Sequence, residues 1–422
     1  MPRPVLGAAL TALLLALAPT ATAAPSPGPA FRSCGSQAAG RTQCARVVVP
    51  VDRSAPDAGE IRLAIRRSQA GRTRVVPRRE AVLFLAGGPG EAATPVHGQV
   101  LGLLRPLLRT RDLLTVDSRG TGRSSDLIVC PELGQGLREL RDPSSVASCA
   151  RRLGGAADRY ATSDVVADLE AVRAAAGYDR LLLVGVSYGT YAAQRYAAAH
   201  PDRVSGLVLD SPVDAAADDP FGLATARAGS RLLAQACASR ACAGVTADPR
   251  GDLTRLQQRL PIQARVDDGR GRRVATTIGG DVLLQLIGLG DFEPLLRGPL
   301  PGAIRRAATG DPAPLVRLAR EDGLLDGLDD DTDPSEVTAP AAHLSTGTMI
   351  ATLCRDAAFP WTTETAPGAA RLAAGRAALA ATSDADRGGY SPDAVFDAGV
   401  APSCAWWPSA PERPAVGPLP AV

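Results

Sequence analysis

The sequence predicts an α/β fold, a mostly parallel sheet flanked by helices, with a large helical block inserted after the sixth strand. Three observations predict it. Short apolar runs of strand length alternate with helical patterns from about residue 80 to residue 210. Two of those runs, 181–186 and 204–210, carry almost no polar residues, as strands buried on both faces do. Three glycine-bearing loops each follow a strand, where an open parallel sheet gathers its functional groups.

Strands are expected at 46–51, 61–66, 81–86, 112–117, 181–186 and 204–210, with helices at 100–108, 163–176 and 188–199. From about Pro212 the chain turns Ala-, Leu-, Asp- and Arg-rich. Helices are expected there at 221–239, 252–260, 281–287 and 301–320, with a small hairpin at 263–277 around Asp268-Gly269. The expected organisation is a signal peptide (1–23), a sheet core (24–212), a helical cap (213–403) and a segment returning to the core (404–422). The acidic run 326–333 reads as a solvated loop.

The first residues point to export. Met1 and Arg3 precede an apolar run, 5–18, and Ala21-Thr22-Ala23 offers a small-residue cleavage site. The run is shorter than the ~20 residues that span a bilayer. Eight cysteines in an oxidising compartment imply disulfides, with 105 possible connectivities. Nearest-neighbour pairing is the least demanding: Cys34 with Cys44, Cys130 with Cys149, Cys237 with Cys242, Cys354 with Cys404. Zinc has little support, because no Cys-x-x-Cys pair exists and only three histidines are present.

A net charge of +2 leaves no electrostatic footprint for nucleic acid. All 46 basic residues are arginines, which removes lysine chemistry such as Schiff bases. What remains is concentrated in the three loops. Gly185-Val186-Ser187-Tyr188-Gly189 lies between a strand and a helix, the context that makes G-x-S-x-G a nucleophile elbow. Its glycines allow a strained turn, and Ser187 stands at a helix head that favours developing negative charge. Gly87-Gly88-Pro89-Gly90 follows the third strand and supplies a second backbone donor for an oxyanion hole. Pro89 has no N–H, so the expected donors are Gly88 and, across the elbow, Tyr188. A phosphate loop is excluded by the missing Lys-Ser/Thr. The third loop runs from Asp117 to Ser124, and its Arg119 and Arg123 are expected to brace loops rather than touch substrate.

GGPG, DSRGTGRS and GVSYGT, in this order and spacing, resemble the α/β-hydrolase-fold serine exopeptidases of the proline iminopeptidase and tripeptidyl aminopeptidase group. The resemblance is strong over residues 40–215 and weaker through the helical block to Cys404-Ala405-Trp406-Trp407-Pro408. It implies a secreted enzyme whose serine attacks a peptide carbonyl near the substrate's free N-terminus through an acyl-enzyme; no cofactor is expected, and the charge balance and the short leader leave neither nucleic acid nor membrane as an expected partner. One departure stands inside the motif. The family usually has a further glycine after GGPG, where this chain has Glu91.

The triad order in this fold is Ser, then Asp or Glu, then His. No histidine follows His343. His200 lies 13 residues beyond Ser187 on one helix, about 19 Å along its axis. His97 is expected at a surface or helix start, and His343 in a structural role. The seventh strand of the family would begin near 418–422, and the two strands and helices still to come need at least ~40–60 residues. The triad Asp and His are therefore expected to be absent from this sequence. Losing the base can cost about 10⁶ in kcat. The alternatives are an esterase or amidase of the same fold, or a non-catalytic binding protein that keeps the pocket. Acids that could hold a substrate ammonium are Asp218 with Asp219, Glu293 and Glu321.

Overall fold

The computed structural model describes residues 29–34, 42–70, 80–125, 128, 130–134, 142–216, 219–267, 272–325 and 344–409. The strands of its main sheet are β1 (Arg32–Ser33), β2 (Thr42–Pro50), β3 (Glu60–Ser68), β4 (Glu80–Leu85), β5 (Asp112–Val116), β6 (Arg180–Val186) and β7 (Val204–Asp210). Their order is β1-β2-β3-β5-β4-β6-β7. The first three pair antiparallel, β3 meets β5 antiparallel, and β5, β4, β6 and β7 run parallel. All six expected strands are present. β1 is new, and two residues carry no hydrophobic period; the disulfide from Cys34 to Cys44 holds it against β2.

Four helices belong to this half: α1 (His97–Leu103), α2 (Pro143–Leu153), α3 (Thr162–Ala175) and α4 (Tyr188–Ala199). One sheet face packs Leu181 and Leu183 against Val165, Leu169 and Val172 of α3 and Ala193 and Tyr196 of α4. The other packs Val82, Phe84 and Val184 against Val100 of α1. The result is three layers with the carboxyl ends of β4, β5 and β6 at one rim. α1 ends before the expected 108 because Pro106 has no N–H to continue it. α2 went unread in the sequence, although Asp142 caps it by accepting from the Ser144 and Ser145 N–H groups and Pro143 opens its first turn.

After β7 the described chain is helical: α5 (Leu223–Ala236), α6 (Pro249–Gln257), α7 (Gly280–Phe292), α8 (Pro294–Arg297), α9 (Leu300–Ala308), α10 (Ala313–Glu321), α11 (Thr346–Asp356), α12 (Ala369–Ala380), α13 (Pro392–Ala398) and α14 (Ala401–Cys404). The expected single helix at 301–320 is two, broken where Gly310 takes φ 110° and Pro312 follows. The expected hairpin is β8 (Ile262–Asp267) with β9 (Arg273–Ile278). These helices share one apolar cluster, which also takes in Val146 and Cys149 of α2 and the late Cys404, Ala405 and Trp407.

All four nearest-neighbour disulfides are formed, with Cα separations of 5.7, 5.3, 4.9 and 5.0 Å in chain order. No helix among the described residues is long and apolar enough to cross a membrane. The segment 1–23, the acidic run 326–333, and residues Asp218, His343 and 418–422 lie outside the described residues.

Candidate active site

β6 delivers the chain to Ser187, which takes φ 52° and ψ −122° before α4 begins at Tyr188. Few L-residues adopt such angles, and the surroundings enforce them. A Cβ on Gly185 would lie 2.4 Å from the Gly189 carbonyl oxygen, and one on Gly189 would lie 2.2 Å from the Leu85 oxygen. Both glycines are therefore obligatory, as the elbow motif requires. Thr190 secures the turn from the helix side: its N–H and its hydroxyl both donate to the Ser187 carbonyl, at 2.9 and 2.6 Å. The Ser187 N–H donates to the Asp210 carbonyl at the end of β7, at 3.0 Å.

The neighbouring loop arrives because β4 runs parallel beside β6, with Leu85 opposite Gly185. A Cβ on Gly87 would stand 3.3 Å from the Ser187 Cβ, so the GGPG turn packs directly on the serine. Gly88 and Gly90 hold φ values of 99° and 101°, and the Gly88–Pro89 bond is cis. The Gly87 N–H donates to Glu91 Oε2 at 3.0 Å, so the residue that departs from the family motif curls back onto the loop. The approach to α11 locks the other side, with the Ser345 N–H donating to the Gly90 carbonyl at 2.9 Å. Glu91 itself forms an antiparallel bridge with Leu344. A small cavity of ≈ 20 Å³ behind the elbow is lined by Gly87, Glu91, Ser118, Tyr188 and Thr348, room for about one water.

Tyr188 follows Ser187, and its side chain ties the elbow to two other elements. Its hydroxyl is 2.5 Å from Thr162 Oγ1, which donates to Asp356 Oδ2 at 2.5 Å. Burial, together with the Asp356 carboxylate, raises the phenol's pKa well above the ordinary value. Tyr188 stays protonated. Arg119 braces the third loop, as expected, whereas Arg123 contributes through its backbone. Arg119 is fully buried and grips Asp168 with two bonds of 2.8 Å, while also donating to the Val51 and Arg159 carbonyls. Arg123 is exposed, and its N–H donates to Asp117 Oδ2 at 2.9 Å. From α11, Thr348 donates to the Gly120 carbonyl and Thr352 to the Tyr160 carbonyl. The sequence reading missed these stitches; the hydroxyl-rich run Ser345-Thr346-Gly347-Thr348 was the available signal.

Neither of the two described histidines, His97 and His200, is bonded to the serine. His97 starts α1, as one of the two expected roles had it, but it is 2% exposed rather than on the surface. Its Nδ1 contacts Thr115 Oγ1 at 2.9 Å and its Nε2 contacts Ser68 Oγ at 2.8 Å, so both nitrogens are engaged. Burial, assisted by Arg66, lowers its pKa to about 4. His200 caps the far end of α4 against the Tyr196 ring. Of the acids considered for ammonium binding, Asp219 is committed to the N–H groups of Leu223 and Ala224. Glu321 pairs with Arg317 at 3.8 Å. Glu293 and Glu321 both act on Asp322, whose pKa is raised by burial and then by these two carboxylates. No group of three potential metal ligands gathers among the described residues.

Residues 80–256 match the family model of the alpha/beta hydrolase fold. The chain is 30% identical over 198 residues to the serine protease Hip1 of Mycobacterium tuberculosis, covering 42% of this chain and 37% of that protein. It is 31% identical over 196 residues to the tripeptidyl aminopeptidase of Streptomyces lividans (42% and 36%). It is 33% identical over 128 residues to a proline iminopeptidase of Neisseria meningitidis (30% and 31%). The chain thus spans about a third of the length of the curated relatives it matches. Among solved structures, the proline iminopeptidase of Mycobacterium smegmatis aligns over 51% of this chain and 54% of its own, at 19% identity and a TM-score of 0.31.

Proposed function

We propose that this chain, whose residues 80–256 carry the alpha/beta hydrolase fold, is an exported serine hydrolase acting on peptides with a free N-terminus. The observation that carries the reading is Ser187 held at φ 52° between β6 and α4 with the GGPG turn packed on its Cβ. In this reading Ser187 Oγ attacks the carbonyl carbon of the scissile bond. The oxyanion that forms takes the N–H groups of Gly88 and Tyr188, the latter at a helix N-terminus. The C–N bond then breaks as the proton given up by Ser187 Oγ passes to the departing amine, and water adds to the acyl carbon, releasing the acid and returning a proton to Oγ. The peptidase names of the relatives favour a peptide over an ester. The leader at 1–23 and the four disulfides support export. No cofactor enters the reaction, and the helical region from residue 213 serves as the cap.

One observation favours the second reading, a binding protein that keeps the pocket without turnover. His97 has both ring nitrogens engaged and His200 sits at the wrong end of α4. A fluorophosphonate probe separates the two. The hydrolase reading expects stoichiometric labelling of the full chain that is lost in Ser187→Ala. A folded chain that takes no label is the binding protein.

A further inference from the structure

The acid that replaces the glycine after GGPG stands beside the serine. An atom placed as Cβ on Gly87 would lie 3.1 Å from Glu91 Oε2 and 3.3 Å from Ser187 Cβ, so these two are separated by no more than the sum, 6.4 Å. Glu91 is exposed, its carboxylate accepts the Gly87 N–H, and among the described residues no arginine pairs with it. The backbone on both sides is held, through the Gly90 carbonyl and the bridge to Leu344, so the carboxylate is presented rather than free to swing away. An unpaired anion at this distance from the nucleophile would repel the developing oxyanion unless a cation sits between them. The substrate class that supplies one is a free N-terminus.

We infer that Glu91 is the residue that receives the substrate's α-ammonium, and that it selects substrates cleaved after their first residue. This rests on the peptidase reading of the site. The length argument is geometric. In an aminoacyl group the ammonium nitrogen is two bonds from the scissile carbonyl carbon, about 2.5 Å, whereas an extended tripeptide adds about 7 Å. A carboxylate this near Ser187 meets the first and falls short of the second. Glu293, at the junction of α7 and α8, and Glu321 with Asp322, at the end of α10, form the rival site, where α7 packs on α8 and on α10.

The test uses the full chain carrying Ser187→Ala and reads binding by NMR or calorimetry, independently of turnover. Alaninamide should bind, while N-acetylalaninamide and 5-aminovaleramide, whose ammonium is three methylenes farther from the carbonyl, should not. Adding Glu91→Gln keeps an acceptor for the Gly87 N–H and removes the charge; it should weaken alaninamide about tenfold, the scale of one charged hydrogen bond. Unchanged affinity in Glu91→Gln would reduce Glu91 to a loop cap, and a loss that appears in Glu293→Gln instead would move the ammonium to the rival acids. Either outcome overturns the inference. So does a failure of alaninamide to bind, which leaves the peptidase reading standing wherever Ser187 still takes the fluorophosphonate.

Discussion

The N–H of Ser187 donates to the carbonyl of Asp210 across 3.0 Å, which pins the elbow to the last residue of the edge strand β7. The elbow is thus held on three sides: by β7 through Asp210, by α4 through Thr190, and by the GGPG turn at Gly87. The strain at Ser187 survives because the surroundings over-determine it.

Releasing that strain should be measurable. Glycine adopts φ 52° without the Cβ penalty, although it loses more entropy on folding. Strain of order 1–3 kcal/mol set against an entropy cost of ~0.4–1 leaves Ser187→Gly more stable than Ser187→Ala by about 1 kcal/mol. Urea unfolding of the two variants reads the difference directly. Equal midpoints would show an unstrained turn.

The two arginines of the third loop should behave differently. Arg119 is buried with its guanidinium divided between Asp168, Asp164 and two carbonyls, so Arg119→Ala leaves the 3% exposed Asp168 carboxylate, among the described residues, with the partly exposed Arg53. Breaking such a pair costs about 3–5 kcal/mol. Arg123→Ala removes an exposed side chain and keeps the backbone bond to Asp117; it should stay within about 0.5 kcal/mol of the parent. Comparable losses in both would contradict the assignment.

Acid should destabilise the fold through His97. Its folded pKa is about 4 against 6.5 unfolded, so between these values the unfolded chain binds the extra proton. Stability is then full above about pH 6.5, falls as pH drops, and levels off below 4. From pH 7.5 to 5.0 the loss from this group is about 2 kcal/mol. Glu170, with its pKa lowered to about 2 chiefly by Arg173, works in the same direction only at lower pH. Denaturant unfolding at the two pH values should show a smaller drop in His97→Gln than in the parent.

β7 should drive self-association. Among the described residues no strand pairs on its outer side. The side chains are less exposed than the sequence suggests, since Val204 is 4% exposed and Leu207 and Leu209 pack partly on the α3–α4 side, leaving Val208 at 43%. The backbone is the larger liability. The Asp210 carbonyl faces the β6 side, so by alternation the Leu207 and Leu209 polar groups face outward. Two copies pairing antiparallel about Leu207 would set Val208 against Gly206 of the other copy, with the Arg203 end beside the Asp210 end. Sedimentation of the full chain should show a concentration-dependent dimer that Val208→Lys weakens. A monomer at all concentrations would show the edge to be protected.

What was legible before any coordinates was whatever depends on neighbours in the chain. The period-2 and period-3.6 patterns placed six strands and α3 and α4 to within a few residues, because β6 and β7 are apolar on both faces and α4 begins where the elbow ends. The elbow itself was legible because Gly185 and Gly189 meet backbone atoms, and only one residue type tolerates that. The disulfides paired as nearest neighbours, each closing a loop of 5 to 50 residues.

What only the tertiary structure decided was which distant segments meet, because a local pattern can mark a bonding residue but does not name its partner. His97 could have approached the serine until Ser68 and Thr115, from β3 and β5, took both of its nitrogens. The α11 hydroxyls reach carbonyls more than 190 positions away. Glu91 looked like a misfit in a glycine motif. Its place beside Ser187 follows from β4 lying next to β6, a pairing that the order of strands along the chain does not specify.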